Sequence, residues 1–105
     1  MPKVSARYFG KLRELLSTKS EEYEVPQETT LADLLLKHIP DRHGEASRTW
    51  LEEIFRTVRG EVLTSRNGTP VLSDYMILID GKTPKLNDKL KDGTEIAVLP
   101  PFGGG

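Results

Sequence analysis

Residues 3 to 9, KVSARYF, alternate loosely and contain Val4, Tyr8 and Phe9, which predicts a strand closed by Gly10. KLRELLS follows with Leu12, Leu15 and Leu16 at helical spacing, enough for one or two turns. EEYEV, ahead of Pro26, predicts a second strand, antiparallel to the first because so short a connection leaves no room for a parallel crossover. TTLADLLLKHI gives the clearest helical pattern. Thr29 or Thr30 can cap it, Asp33 suits the positive end of the dipole, and Leu31, Leu34, Leu35 and Ile39 form one stripe that Pro40 should stop.

Residues 41–59 carry a second helical pattern, with Trp50, Leu51, Ile54, Phe55 and Val58 spaced for one face. Glycine, proline and small polar residues then predict an expanded loop over 59–74, with a short extended piece near 61–63 and the greatest mobility within the domain. YMILI is almost continuously apolar and runs into Asp80 and Gly81, predicting a central buried strand that enters a tight turn. A second Asp-Gly turn at Asp92 and Gly93 introduces the last strand, TEIAVLP. A strand, its hairpin partner and a helix laid across them begin an α+β domain.

With 105 residues, the chain suits one domain with a modest core and little room for a deep substrate cavity, which disfavours a self-sufficient enzyme. Fifteen basic against sixteen acidic residues leave a net charge of -1, so no global field draws the chain to nucleic acid or to an anionic membrane. The absence of cysteine removes disulfides, thiolate nucleophiles and sulfur ligands, and points to a reducing compartment. MPKVSARYFG lacks the apolar core of a signal peptide, so a cytoplasmic location is expected.

The sequence closes on LPPFGGG. Pro100 and Pro101 hold the backbone extended as it leaves the last strand, and Gly103, Gly104 and Gly105 carry no Cβ. Such a thread fits a channel no wider than the backbone. Its terminal carboxyl group, with a pKa of roughly 3.5, is ionised at neutral pH and competent to attack the α-phosphate of ATP. Ordering each glycine costs on the order of 1–2 kcal/mol, so binding must come mainly from a folded surface docked alongside.

ARYFGKLREL, TTLADLLLKHI, YMILIDGK and above all LKDGTEIAVLPPFGGG resemble the β-grasp sulfur-carrier family, which includes the small subunit of molybdopterin synthase and archaeal ubiquitin-like small modifier proteins. The resemblance covers residues 3 to 105. It implies a ubiquitin-like β-grasp domain over 1–101, with the first and last strands parallel and central, one main helix on one face and an additional helix before the third strand. It further implies a flexible reactive tail, 102–105. Gly105 matches the glycine that an E1-like enzyme adenylates with ATP and that then becomes a thiocarboxylate. Pro100, Pro101, Phe102, Gly103 and Gly104 are the implied partner-binding residues. Phe102 stands where the family commonly has a smaller aliphatic residue, and Gly103 where many members carry Ala or Ser.

By the same resemblance the chain binds no cofactor of its own, and ATP is used by the activating partner. The acceptor is either a molybdopterin precursor, reached with the synthase large subunit, or lysines of target proteins joined through Gly105. A plain interaction module is the remaining alternative. In each case the chain is a monomeric protein substrate or binding module and not an enzyme.

Other residues suggest no site. His38 and His43 flank Asp41 with a spacing that crosses Pro40 and matches no zinc pattern, so surface histidines at a helix end are expected and no metal. Lys82, Lys85, Lys89 and Lys91 are interleaved with Asp80, Asp88 and Asp92, which predicts a solvated loop rather than a phosphate site. Trp50 and Phe55 are expected in the core.

Overall fold

The computed structural model describes residues 1–101. Four strands, β1 (Lys3–Tyr8), β2 (Ser20–Glu24), β5 (Met76–Ile79) and β6 (Glu95–Leu99), form one sheet in the order β2-β1-β6-β5. β1 and β6 lie inside and run parallel, with Ala6 opposite Ile96 and Tyr8 opposite Val98. β2 and β5 pair antiparallel on the two flanks. The two-residue strands β3 (Thr57–Val58) and β4 (Glu61–Val62) make a separate hairpin.

Alternation sets the faces of the main sheet. Val4, Ala6, Tyr8, Tyr23, Ile77, Ile96 and Val98 are buried in a single core with Leu31, Leu34, Leu35 and Ile39 of the central helix. α1 (Lys11–Leu16) adds Leu12 and Leu16 to that core. The central helix comprises α2 (Leu31–Asp33), a π-helical segment (Leu34–His38) and α3 (Ile39–Arg42) in direct succession. Thr30 accepts the Asp33 amide while Asp33 accepts the Thr30 amide, a reciprocal cap worth about 1 kcal/mol. The same end is tied to the loop before β6, since Leu31 and Ala32 donate to the carbonyls of Asp88 and Leu86.

Pro40 does not stop this helix. The turn before it widens, so that Ile39 N–H donates five residues back to Leu34 O, and Pro40 falls in the first turn of α3, where no amide donor is required. The chain then passes through a 3-10 turn (Gly44–Ala46) into α4 (Ser47–Ile54).

The helical pattern over 41–59 is also shorter than its spacing suggests. Phe55 is extended at φ -114 and ψ 156, although its side chain stays buried, and Val58 is 55% exposed in β3. The cause is a competing partner: Arg56 N–H donates to Val71 O, and Phe55 forms a bridge with Leu72. Within 59–74, backbone hydrogen bonds link Leu63 to Arg56 and Val71 to Leu63, so this stretch is folded back on α4 as a small β excursion.

β5 is an edge strand and not a central one. β6 takes the inner place beside β1, which leaves β5 with Ile77 in the core, Leu78 half-buried and Met76 39% exposed. Its continuous apolar character therefore serves both faces. The turn that follows places Asp80 at φ 48 and Gly81 at φ 82, the left-handed pair that an Asp-Gly hairpin requires.

Candidate functional site at the exit of the last strand

β6 carries the chain outward between β1 and β5, and Pro100 stands exposed just past its end. Pro101 is half-buried. Phe102, Gly103, Gly104 and Gly105, which carry the expected chemistry, lie outside the described residues. Pro100 rests against Gly10: a Cβ built at Gly10 would stand 3.3 Å from Pro100 Cγ, and Gly10 itself is held at φ 62. A glycine at the start of α1 thus lets the outgoing chain approach closely.

Beside this exit lies a groove of about 510 Å³ lined by Lys11, Glu52, Glu53, Asp74, Tyr75 and the two prolines. Glu53 organises it from the last turn of α4. One carboxylate oxygen is 2.9 Å from Lys11 Nζ, and the other accepts from Tyr75 O–H at 3.0 Å. Burial, with the hydrogen bond to Glu53 and its negative charge, pushes the Tyr75 phenol up to about 12.

The sheet face opposite the helices offers a second feature. Register places Leu78 opposite Ala97 and Met76 opposite Leu99, all alternating with core positions and hence on the open face. At the neighbouring end of β1, Phe9 is half-buried between two guanidinium groups, Arg7 at 5.7 Å and Arg13 at 5.2 Å from its ring centre. Arg13 is fixed there by its Nε donating to Tyr8 O at 2.8 Å. An apolar patch rimmed by arginines, adjoining the strand exit, has the composition of a docking surface. Sequence reasoning missed Phe9, Met76, Leu78, Ala97 and Leu99 in this role, although the alternation of β6 against its buried Ile96 and Val98 was the available signal.

The histidines are not alike. His38 is half-buried on the π-helical segment, whereas His43 is drawn inward, with its Nε2 2.7 Å from Glu21 Oε1 and only 17% of its side chain exposed. Glu21 Oε2 also accepts from Tyr8 O–H at 2.8 Å and from Tyr23 O–H at 2.6 Å. This network replaces the surface position expected of His43, because a carboxylate on β2 meets the end of the central helix. Among the described residues no cluster of three His, Cys, Asp or Glu side chains is arranged for a metal ion. No described helix is long and apolar enough to cross a membrane.

Burial alone would raise the Glu21 pKa, but hydrogen bonds from Tyr23, His43 and Tyr8 outweigh it and hold the carboxyl below its ordinary value of 4.5. Stability from this group is therefore complete above the ordinary value and is lost as pH falls through the lower folded one. Glu21→Gln is expected to cost about 1–3 kcal/mol at pH 7 and to flatten the acid limb of stability against pH. Denaturant titrations at successive pH values check this, and an unchanged acid limb would exclude the role given to Glu21.

Comparison with known proteins places the strand exit in context. The molybdopterin synthase sulfur carrier subunit of Drosophila sechellia is 30% identical over 104 residues, covering 97% of this chain and 90% of the relative. A putative molybdopterin converting factor subunit 1 from Pyrococcus furiosus superposes with a TM-score of 0.69 at 27% identity, covering 97% of this chain and all of that one. The solution structure of small archaeal modifier protein 1 from Methanosarcina acetivorans gives a TM-score of 0.70 at 27% identity, over 100% of this chain and 98% of that one. The fold is accordingly the ubiquitin-like β-grasp, of the α+β class. Because the ThiS family model matches residues 6–105, a span that takes in the second half of β1, all of β6, the groove and every residue of the LPPFGGG segment, the chain belongs to the ThiS family.

Proposed function

We propose that this protein is a sulfur carrier, the small non-catalytic subunit of a molybdopterin synthase, whose working group is the α-carboxylate of Gly105. An E1-like partner adenylates Gly105 with ATP, sulfur replaces the adenylate to give a thiocarboxylate, and the large subunit delivers that sulfur to the cofactor precursor. The supporting observation is the continuity of the family match through residue 105 along a strand that leaves the body at Pro100. The open face supplies the docking affinity. Phe9, Leu78 and Leu99 form its apolar centre, and Arg7 and Arg13 form its rim. Pro100, Pro101, Phe102, Gly103 and Gly104 then form the thread that the partner encloses.

Likeness to the Methanosarcina modifier protein favours a second use of the same carboxylate. In that reading the adenylated Gly105 passes to the lysine of a target protein and forms an isopeptide bond. Both uses share the first step. Incubation with an E1-like enzyme and ATP should release pyrophosphate in proportion to the chain added, and the absence of release would rule out both.

A further inference from the structure

Lys11 is the lysine that lines the groove at the strand exit, together with Pro100 and Pro101. We propose that Lys11 is an intramolecular acceptor for the activated C-terminus, restrained by Glu53; the inference rests on the activation of Gly105 argued above. When neither a sulfur donor nor a target amine intervenes, the acyl group passes to Lys11 Nζ and closes a lariat that silences the carrier.

Reach supports it. Four residues follow Pro101, and at about 3.3–3.6 Å per residue they span up to ~14 Å, enough to turn back across an adjoining groove. Three of the four are glycines, which accept the sharp reversal. A linker this short gives an effective concentration on the order of millimolar, so the internal reaction outruns transfer between dilute molecules.

Topology separates Lys11 from the other amines. Lys3 begins β1 beside the start of β6, since Gly93 N–H donates to its carbonyl, and Lys82 sits in the turn after Ile79, opposite Ile96. Lys85, Lys89 and Lys91 belong to the same loop before β6. All five therefore lie near the end of β6 away from Pro100, a strand of roughly 17 Å. Lys37 lies on the central helix, 3.9 Å from Asp33. Lys19 is at the correct end of the sheet but precedes β2, two strands away from β6.

Chemistry identifies the restraint. Glu53 stands 2.9 Å from Lys11 Nζ, an ion pair that ties the amine to α4 and must break before Nζ can reach an acyl carbon. In the transfer, the Nζ–C bond forms at the Gly105 carbonyl carbon and the C–O bond to the phosphate of AMP breaks. AMP leaves with the bonding electrons, and the ammonium loses two protons to solvent. Glu53→Gln keeps an acceptor for Tyr75 and removes the anionic partner.

The test incubates the full chain with an E1-like enzyme and ATP, without a sulfur donor, and follows pyrophosphate release alongside intact mass. The expected product is lighter than the starting chain by one water, with a cross-linked peptide joining Lys11 to Gly105. Lys11→Arg should release pyrophosphate normally and form no such product, and Glu53→Gln should form it several-fold faster. Pyrophosphate release without the lighter species, or a link at Lys19 or elsewhere, overturns this inference alone. An unchanged rate in Glu53→Gln overturns the restraint. No pyrophosphate release at all overturns the activation reading and this inference with it.

Discussion

Adding a single alanine after Gly105 is expected to abolish ATP-dependent activation while changing the free energy of unfolding by no more than about 0.5 kcal/mol. In the proposed reaction a terminal carboxylate must sit at one depth in the partner's nucleotide site. One further residue moves that group by about 3.5 Å and adds a Cβ to a thread otherwise lacking them. Folding should be indifferent, because the buried core runs from Val4 to Val98. Pyrophosphate release and denaturant unfolding on the same preparation give the two readings, and an extended chain that is still activated would refute the role of Gly105.

The largest effect on stability is expected at Trp50. Its indole is fully buried, donates from Nε1 to Leu35 O at 2.8 Å and meets the Tyr8 ring edge-on at 5.7 Å. These contacts join α4, the central helix and β1. Trp50→Ala removes that joint and leaves both a cavity and an unpaired carbonyl, a loss of about 3–5 kcal/mol. Domains of this size are held by roughly 5–15 kcal/mol, so the variant should be close to unfolding at 37 °C. Urea titration followed by far-ultraviolet circular dichroism checks it; a loss below about 1 kcal/mol would show that Trp50 is not the joint described.

Where one periodicity ruled a segment alone, the sequence was a sound guide. β1, β2, β6, α1 and the cap at Thr30 lie close to the residues whose spacing predicted them. The parallel pairing of β1 and β6 came from resemblance, since nothing in either strand's own residues specifies so distant a partner. Misreadings arose where tertiary partners overrode a local signal. Pro40 was accommodated by a wider turn before it, the helix at Ile54 lost its next turn to pairing with 71–72, and the apolar run before Asp80 proved to serve two faces of an edge strand.

The functional surface divides in the same way. The LPPFGGG segment suggested a chemistry from the residues alone, because proline, glycine and a carboxylate have properties that do not depend on their surroundings, and its residues 102–105 lie outside the described structure. Glu53 was not legible: its roles toward Lys11 and Tyr75 join residues 42 and 22 positions away, and only the packing of α4 beside the strand exit brings them together. His43 was misjudged for the same reason, its partner Glu21 lying 22 residues earlier on β2.

Mass spectrometry of the C-terminal peptide, after incubation with an E1-like enzyme, ATP and a sulfur donor, tests the central claim most directly. The account predicts that one oxygen of the Gly105 carboxyl group is replaced by sulfur. A C-terminal peptide of unaltered mass, recovered from a reaction in which the same enzyme thiolates a known carrier, would contradict it.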